Sequence, residues 1–274
     1  MTADDWARRG SSFGAVAAAY AEHRPDYPEA AVRWCLAPAG PDVPALRVLD
    51  LGAGTGKLTS LLTRLGADVT AVEPDDSMRG ELRRLLPSVP ALAGTAEAIP
   101  LPDGSVHAVL CGQALHWFDM PRAAPEIARV LVGGGVLAGL WNSDDDRVEW
   151  VAGLQAAAEG AASPSLSRRR AEAAGFGADQ FGPAFRPAER AEFGNTQRRT
   201  AATLAATIGT HSRLLVMEPA ERDRVLGQVR DYLAARPETS GGEFELPMVT
   251  SVIRAVRRPA AEPRRGCRGQ VRRR

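Results

Sequence analysis

The stretch VLDLGAGTGKLT, residues 48 to 59, constrains this chain more than any other. A short apolar run ends in Asp50 and then places glycine at every second position, Gly52, Gly54 and Gly56. An apolar run of this length suits a strand buried on both faces of a parallel sheet, and the glycines mark where backbone turns sharply or comes close to a ligand. Spacing separates the ligand classes. A phosphate-binding P-loop needs four residues between its glycines and a hydroxyl after Gly-Lys, whereas three residues separate Gly52 from Gly56 here and Leu58 follows Lys57. A dinucleotide fingerprint needs G-x-G-x-x-G, and Lys57 at the third position weakens that match.

What remains is an acidic residue followed by alternating glycines, a loop against which a ligand without pyrophosphate can press on bare backbone. S-adenosylmethionine is the candidate. The surrounding pattern is strand, turn, helix, repeated: strands are expected at 46–51, 68–73, 106–111 and 136–141. Between them, Leu58, Leu61, Leu62 and Leu65 fall on one helical stripe, as do Met78, Leu82, Leu85 and Leu86, and a third helix is expected from Pro121 through Leu131 to Gly133-Gly134-Gly135. Such alternation predicts a doubly wound α/β fold of Rossmann type, with a mostly parallel sheet and helices on both faces.

Before residue 46, SSFGAVAAAYAEHRPDYPEAAVRWCL reads as two helices interrupted at Arg24-Pro25 and Tyr27-Pro28, since proline disfavours helix in the residue before it. They form an expected N-terminal helical lid over residues 1–45. Beyond residue 145, helices are expected near 147–160, 166–175, 199–216 and 219–235, most of them in a cap insertion at about 147–240. Strands are expected at 188–193 and 244–257, the second an antiparallel strand at the end of the sheet. Residues 46–257 thus form one domain carrying the cap.

Net charge +1 over 274 residues gives no overall signature of a nucleic-acid binder. The last 18 residues hold eight Arg against Glu262, or +7, which leaves −6 on the rest. This tail, 258–274 in its expected disordered part, has no apolar periodicity with which to order itself, and Lys57 is the only lysine among 34 basic residues, so runs of Arg follow a chain-wide bias. Three cysteines, Cys35, Cys111 and Cys267, share no ligand spacing and read as reduced thiols of a cytoplasmic protein. No stretch is apolar enough to span a membrane, four scattered histidines imply no metal, and oligomeric state leaves no trace.

In open α/β sheets ligands bind beyond the carboxyl ends of the strands. Asp50 is placed there to brace its turn or to face a ligand ammonium. Glu73, 23 residues after Asp50, suits a grip on two adjacent ribose hydroxyls. Ala96 and Glu97 supply an apolar slot and an acceptor for adenine. Past the strand at 106–111, Gln113, His116, Trp117 and Phe118 gather polar and aromatic groups.

As a set, FGAVAAAYAEHRPDYP, VLDLGAGTGKLT, AVEPDDSM, GTAEAIPLPDGSVHAV, QALHWFD and EIARVLVGGG resemble the class I S-adenosylmethionine-dependent methyltransferases, in particular the small-molecule branch that includes type-11 and trans-aconitate-methyltransferase-like enzymes. The resemblance covers about residues 12 to 257 and implies a seven-stranded sheet. It implies that Asp50, Gly52, Ala53, Gly54 and Gly56 hold the methionine part, Glu73 with Pro74 the ribose and Ala96-Glu97 the adenine. Gln113 and Trp117 complete the cofactor site, and Tyr20 and Arg24 of the lid close over it. Tyr27, Trp117 and Arg213 are candidates to touch a small-molecule acceptor. Two departures stand out: His107 where the family commonly has Asp, and Gly133-Gly134-Gly135 in place of Pro-Gly-Gly.

Methyl transfer from a sulfonium needs alignment more than acid-base machinery. If the acceptor carries a proton, His116 is the first candidate base and His211 the second; a carboxylate acceptor needs none, and Arg24 or Arg213 would clamp it. Because fold does not dictate reaction, cyclisation or isomerisation on the same cofactor fold is the alternative, and nucleic-acid binding through the Arg tail is a third reading.

Overall fold

The computed structural model describes residues 25–40, 46–159, 180–209, 214 and 217–259. Among them, α1 (Glu29–Leu36) leads into β1 (Arg47–Leu51), α2 (Lys57–Arg64), β2 (Asp68–Val72), α3 (Asp76–Leu85), β3 (Ala91–Leu92) and β4 (Val106–Gly112). One 3-10 turn, Ala37–Ala39, follows α1, and another, Leu115–Trp117, precedes α4 (Met120–Val130) and β5 (Leu131–Asp144). The chain continues through α5 (Glu149–Glu159), β6 (Glu189–Thr200), α6 (Ala201–Gly209), α7 (Pro219–Ala234) and β7 (Glu243–Val256).

Seven strands form one sheet in the order β3-β2-β1-β4-β5-β7-β6. Strands β1 to β5 pair in parallel, and β7 runs antiparallel between β5 and β6 at the far end. The chain steps outward from β1 to β3, then returns to place β4 on the other side of β1. That reversal opens a crevice above the carboxyl ends of β1 and β4, where open α/β sheets take their ligands.

The central strands are buried on both faces, and the residues along them join two clusters alternately because successive side chains point to opposite faces. Leu49, Leu51, Val109, Cys111 and Leu137 join Ile127 of α4 in one apolar cluster. Val48, Ala108, Leu110 and Leu140 join Val32 of α1 and Leu62 of α2 in another. A third cluster stands apart from both: Trp150 and Leu154 of α5, Leu204 and Ile208 of α6, and Val225, Val229 and Leu233 of α7 pack with Phe244 and Leu246 at the start of β7. These helices have an apolar core of their own.

Several boundaries differ from the sequence pattern. Leu131 and the three glycines after it belong to β5 rather than to the end of α4: Leu131 pairs with Val106 of β4, and Gly134 and Gly135 exchange backbone hydrogen bonds with Arg257. Gly135 packs so closely that a Cβ there would lie 2.9 Å from the His107 carbonyl oxygen, at the register shift between Val106 and Ala108. β6 runs on to Thr200, paired along its whole length with β7. β3, only two residues long, carries no sequence signal. The helix expected at 166–175, most of the lid and the tail beyond 259 lie outside the described residues. No helix among the described residues is long and apolar enough to cross a membrane.

Candidate active site

The glycine loop leaves β1 in a conformation that side chains resist. Gly52, Gly54 and Gly56 have φ of +71°, +57° and +91°, all in the left-handed region where a Cβ is strained. Gly52 is also crowded, since a Cβ there would come within 2.7 Å of the Ala114 Cβ. At Gly54 the nearest atom to such a Cβ is Met78 Sδ at 3.8 Å, so there the backbone conformation, not crowding, calls for glycine. Gly52 and Ala53 donate their N–H groups to the Val72 carbonyl, which pins the loop to β2.

Two carboxylates frame this loop. Asp50 is fully buried and accepts the Thr59 hydroxyl at 2.6 Å, while its Oδ1 is buried without a hydrogen-bond partner. Burial pushes its pKa up to about 7 against the opposing pull of the Thr59 hydrogen bond. Glu73, at the end of β2, accepts the Gly54 N–H at 2.8 Å through Oε2 and the Asp75 N–H at 2.9 Å through Oε1. Burial raises its pKa too, and those two N–H groups oppose the rise. Pro74 turns the chain away, and the Asp75 carboxylate caps α3 by accepting from Ser77 and Met78. An orphaned buried acid oxygen beside a loop of bare backbone, with a second carboxylate one strand over, fits an amino-acid-bearing nucleoside.

The third wall is the loop 95–104. Ala96 is buried, and Glu97 Oε1 accepts the Asp119 N–H at 2.9 Å, tying the loop to the start of α4. The fourth wall follows β4. Gln113 is the single non-glycine residue with positive φ among those described, at +55°, a strained conformation of the kind that concentrates at functional sites. Its N–H donates to the Leu140 carbonyl and its side-chain amide to the Asn142 carbonyl, both on β5. The rings of His116 and Trp117 lie 4.9 Å apart. The indole N–H of Trp141, from β5 below, donates to His116 Nδ1 at 3.1 Å. A neutral imidazole that accepts at Nδ1 carries its proton on Nε2.

The N-terminal segment crosses these strand ends as a strap. Asn142 Nδ2 donates to the carbonyls of Pro25 and Asp26 at 3.3 and 3.1 Å, and Asn195 Nδ2 donates to the Asp26 carbonyl at 2.9 Å. Asn142 is itself oriented by the buried Thr250 hydroxyl, which donates to its Oδ1 at 2.5 Å. At the other end Lys57, in the first turn of α2, pairs with the Asp26 carboxylate at 3.2 Å. Tyr27 then falls against β4, where a Cβ on Gly112 would meet its hydroxyl at 2.7 Å.

The carboxyl edge therefore gathers Asp50, Gly52, Ala53, Gly54, Gly56, Glu73, Gln113, His116, Trp117 and Tyr27, with Ala96 and Glu97 on the adjoining loop. Tyr20, Arg24, His211 and Arg213 lie outside the described residues. Thr59, Trp141, Asn142 and Asn195 carry no motif of their own; the Thr59 signal was the hydroxyl at the end of GKLT, one helical turn past the glycines.

A methyltransferase domain model matches residues 49–139. An uncharacterized methyltransferase of Mycobacterium bovis is 40% identical over 246 residues, covering 89% of this chain and 95% of that protein. The chain belongs to the class I S-adenosylmethionine-dependent methyltransferases. A second relative, a probable S-adenosylmethionine-dependent methyltransferase of Mycobacterium tuberculosis, is 35% identical over 98 residues, 35% of this chain and 36% of that one. Among solved structures, a putative type II methyltransferase from Anaeromyxobacter dehalogenans superposes with a TM-score of 0.62 at 25% identity, covering 86% of this chain and 99% of that one. The cofactor of this methyltransferase is S-adenosylmethionine, and the seven-stranded sheet with one antiparallel strand at its end is the fold such enzymes share.

Proposed function

We propose that this methyltransferase methylates a small organic acceptor held between the carboxyl edge of the sheet and the helices of the third apolar cluster. The observation that carries this reading is the strap. From Lys57 at the glycine loop, which holds the Asp26 carboxylate, to Asn195 on β6, which holds the Asp26 carbonyl, the strap is tied across the strand ends, which suits an acceptor small enough to fit beneath it. Residues 1–45 then serve as lid and about 147–240 as cap.

S-adenosylmethionine supplies a methyl carbon already activated by a sulfonium, so the chain's task is alignment and exclusion of water. In this reading Asp50, Gly52, Ala53, Gly54 and Gly56 receive the methionine part, Glu73 and Pro74 the ribose, and Ala96 and Glu97 the adenine. Gln113 fixes the wall beside the reacting carbon, and the Trp117 face favours positive charge by about 0.5–2 kcal/mol. Tyr27 and Trp117 border the acceptor; from the stretches not described, Tyr20 and Arg24 belong to the lid and His211 and Arg213 to the cap.

His116 has two possible tasks, and Trp141 divides them. To take a proton from a hydroxyl, amine or carbon acid, the ring must give up the Trp141 bond at Nδ1. With that bond kept, Nε2–H donates to an acceptor oxygen, as a carboxylate acceptor requires. Purified protein given methyl-labelled S-adenosylmethionine and panels of carboxylates, phenols and amines tests the proposal. One S-adenosylhomocysteine should form per methylated product; cofactor binding without transfer to any panel removes it.

A further inference from the structure

We infer that Glu126 and Arg129 of α4 are positioning residues that set the adenine edge of the cofactor site, by holding the backbone of the loop between Ala96 and Gly104 in place. The inference rests on the proposed assignment of Ala96 and Glu97 to adenine.

This loop has almost no secondary structure of its own. After the isolated bridge between Thr95 and Ala98, its backbone runs to β4 without a strand partner. Buried backbone groups in such a segment need partners from elsewhere, and α4 provides them from side chains one turn apart. Arg129 donates from Nη2 to the Ile99 carbonyl at 2.9 Å, and from Nη1 to the Leu101 carbonyl at 2.8 Å and to Asp103 Oδ1 at 2.7 Å. Its remaining donors, Nε and the second hydrogen on Nη2, meet Glu126 Oε2 and Oε1 at 2.8 and 2.7 Å. A guanidinium has five N–H donors, and all five are engaged.

Glu126 does more than neutralise the arginine. Its Oε1 also accepts the Ile99 N–H at 3.0 Å, so both backbone polar groups of Ile99 are held by α4 side chains. Glu97 Oε1 meets the N-terminal end of the same helix at Asp119, and the Gly104 N–H donates to the Arg129 carbonyl. The loop is thus fastened at three heights along one helix. An unstranded segment could otherwise settle at many distances from the sheet; this fastening leaves one, with Ala96 buried against the first apolar cluster.

The planar fork is what the arrangement uses, since lysine brings a point charge with three donors and cannot reach two carbonyls and a carboxylate pair together. Displacing a binding group by about an ångström costs up to about a hundredfold, and Arg129→Lys should raise the dissociation constants of S-adenosylhomocysteine and of adenosine by the same factor, about tenfold. Glu126→Gln, which keeps one acceptor for Ile99, should raise both by about threefold.

Calorimetry with these two probes, on full-length protein well below its melting temperature, reads the effect directly. Val229→Ala, fully buried in the third apolar cluster and apart from the one that holds Ala96 and Ile99, should lower the melting temperature while leaving both constants unchanged, which separates position from stability. Arg129→Lys protein that is folded and binds both probes as wild type does would overturn the inference, as would a loss for S-adenosylhomocysteine that adenosine does not share. Ala96→Val is measured alongside. If it leaves adenosine affinity untouched, the adenine assignment fails whatever Arg129 does.

Discussion

Glu73 turns its carboxylate onto the glycine loop, accepting the Gly54 N–H at 2.8 Å from one strand away. The residue proposed to hold the ribose is therefore also a brace for the backbone that receives the methionine part. Carboxylate hydrogen bonds of this kind contribute about twice what neutral ones do. Glu73→Ala should weaken S-adenosylmethionine binding by at least about a hundredfold, from the loss of two such bonds at about 1.5–3 kcal/mol each. Glu73→Gln, which keeps one acceptor oxygen, should fall between. Mass spectrometry of cofactor carried through purification, followed by calorimetry, measures both; undiminished retention in Glu73→Ala would remove Glu73 from the site.

Gly52 and Gly54 should answer differently to the same methyl group. Gly52→Ala meets both a left-handed φ and the Ala114 side chain, so stability falls by about 1–2 kcal/mol for the backbone and more for the clash. Gly54→Ala pays only the backbone cost in folding, yet its methyl stands where the ligand approaches. Thermal melts should rank Gly52→Ala as the less stable, while calorimetry should find cofactor affinity in Gly54→Ala reduced out of proportion to its stability. Equal proportions in both variants would mean the loop faces no ligand.

Asp50 links stability to pH. Its pKa stands at about 7 in the fold because of burial, against about 3.9 in an unfolded chain. The folded state therefore holds the proton more tightly, and stability falls as pH rises from about 4 to about 7, then levels. Asp50→Asn removes this dependence. Its melting temperature should exceed that of wild type at pH 8 by several degrees, at about 2–4 °C per kcal/mol, with the gap closing toward pH 4. Parallel pH curves for the two proteins would place the Asp50 proton elsewhere.

Trp141 should govern the tautomer of His116. With four histidines in the chain, nitrogen-15 spectra of histidine-labelled protein are assignable by comparison with His116→Gln. Wild type should show the Nε2–H form, and Trp141→Phe should show a mixture. An Nδ1–H ring in wild type would return His116 to service as a base.

Much of this site was legible because local spacing carries it. The alternating glycines, the carboxylate after β2 and the polar-aromatic run after β4 each sit within a few residues of a strand end, where the fold class predicts ligands. The leucine stripes of α2 and α3 were read for the same reason. Contacts across the sheet were not legible. Asn142 meets Asp26 over 116 residues of sequence and Asn195 meets it over 169, and only strand register brings them together. β6 was read short because its polar, half-exposed side chains leave a weak alternation; its pairing with β7 holds it. Arg129 stood in plain view within EIARVLVGGG, but nothing local says that its five donors reach a loop nearly thirty residues earlier.

The two asparagines on the strap grip peptide carbonyls at Pro25 and Asp26, and of the side chains there only the Asp26 carboxylate is held, by Lys57. Two amides that read main chain are indifferent to what hangs from it, so a substitution at Pro25 leaves their hold on the segment intact, and one at Asp26 loses only the exposed pair with Lys57. In the proposed reading, the mouth of the enzyme can thus change its lining without losing its frame, and a lineage can explore new acceptors there while the cofactor half of the molecule stays as it was.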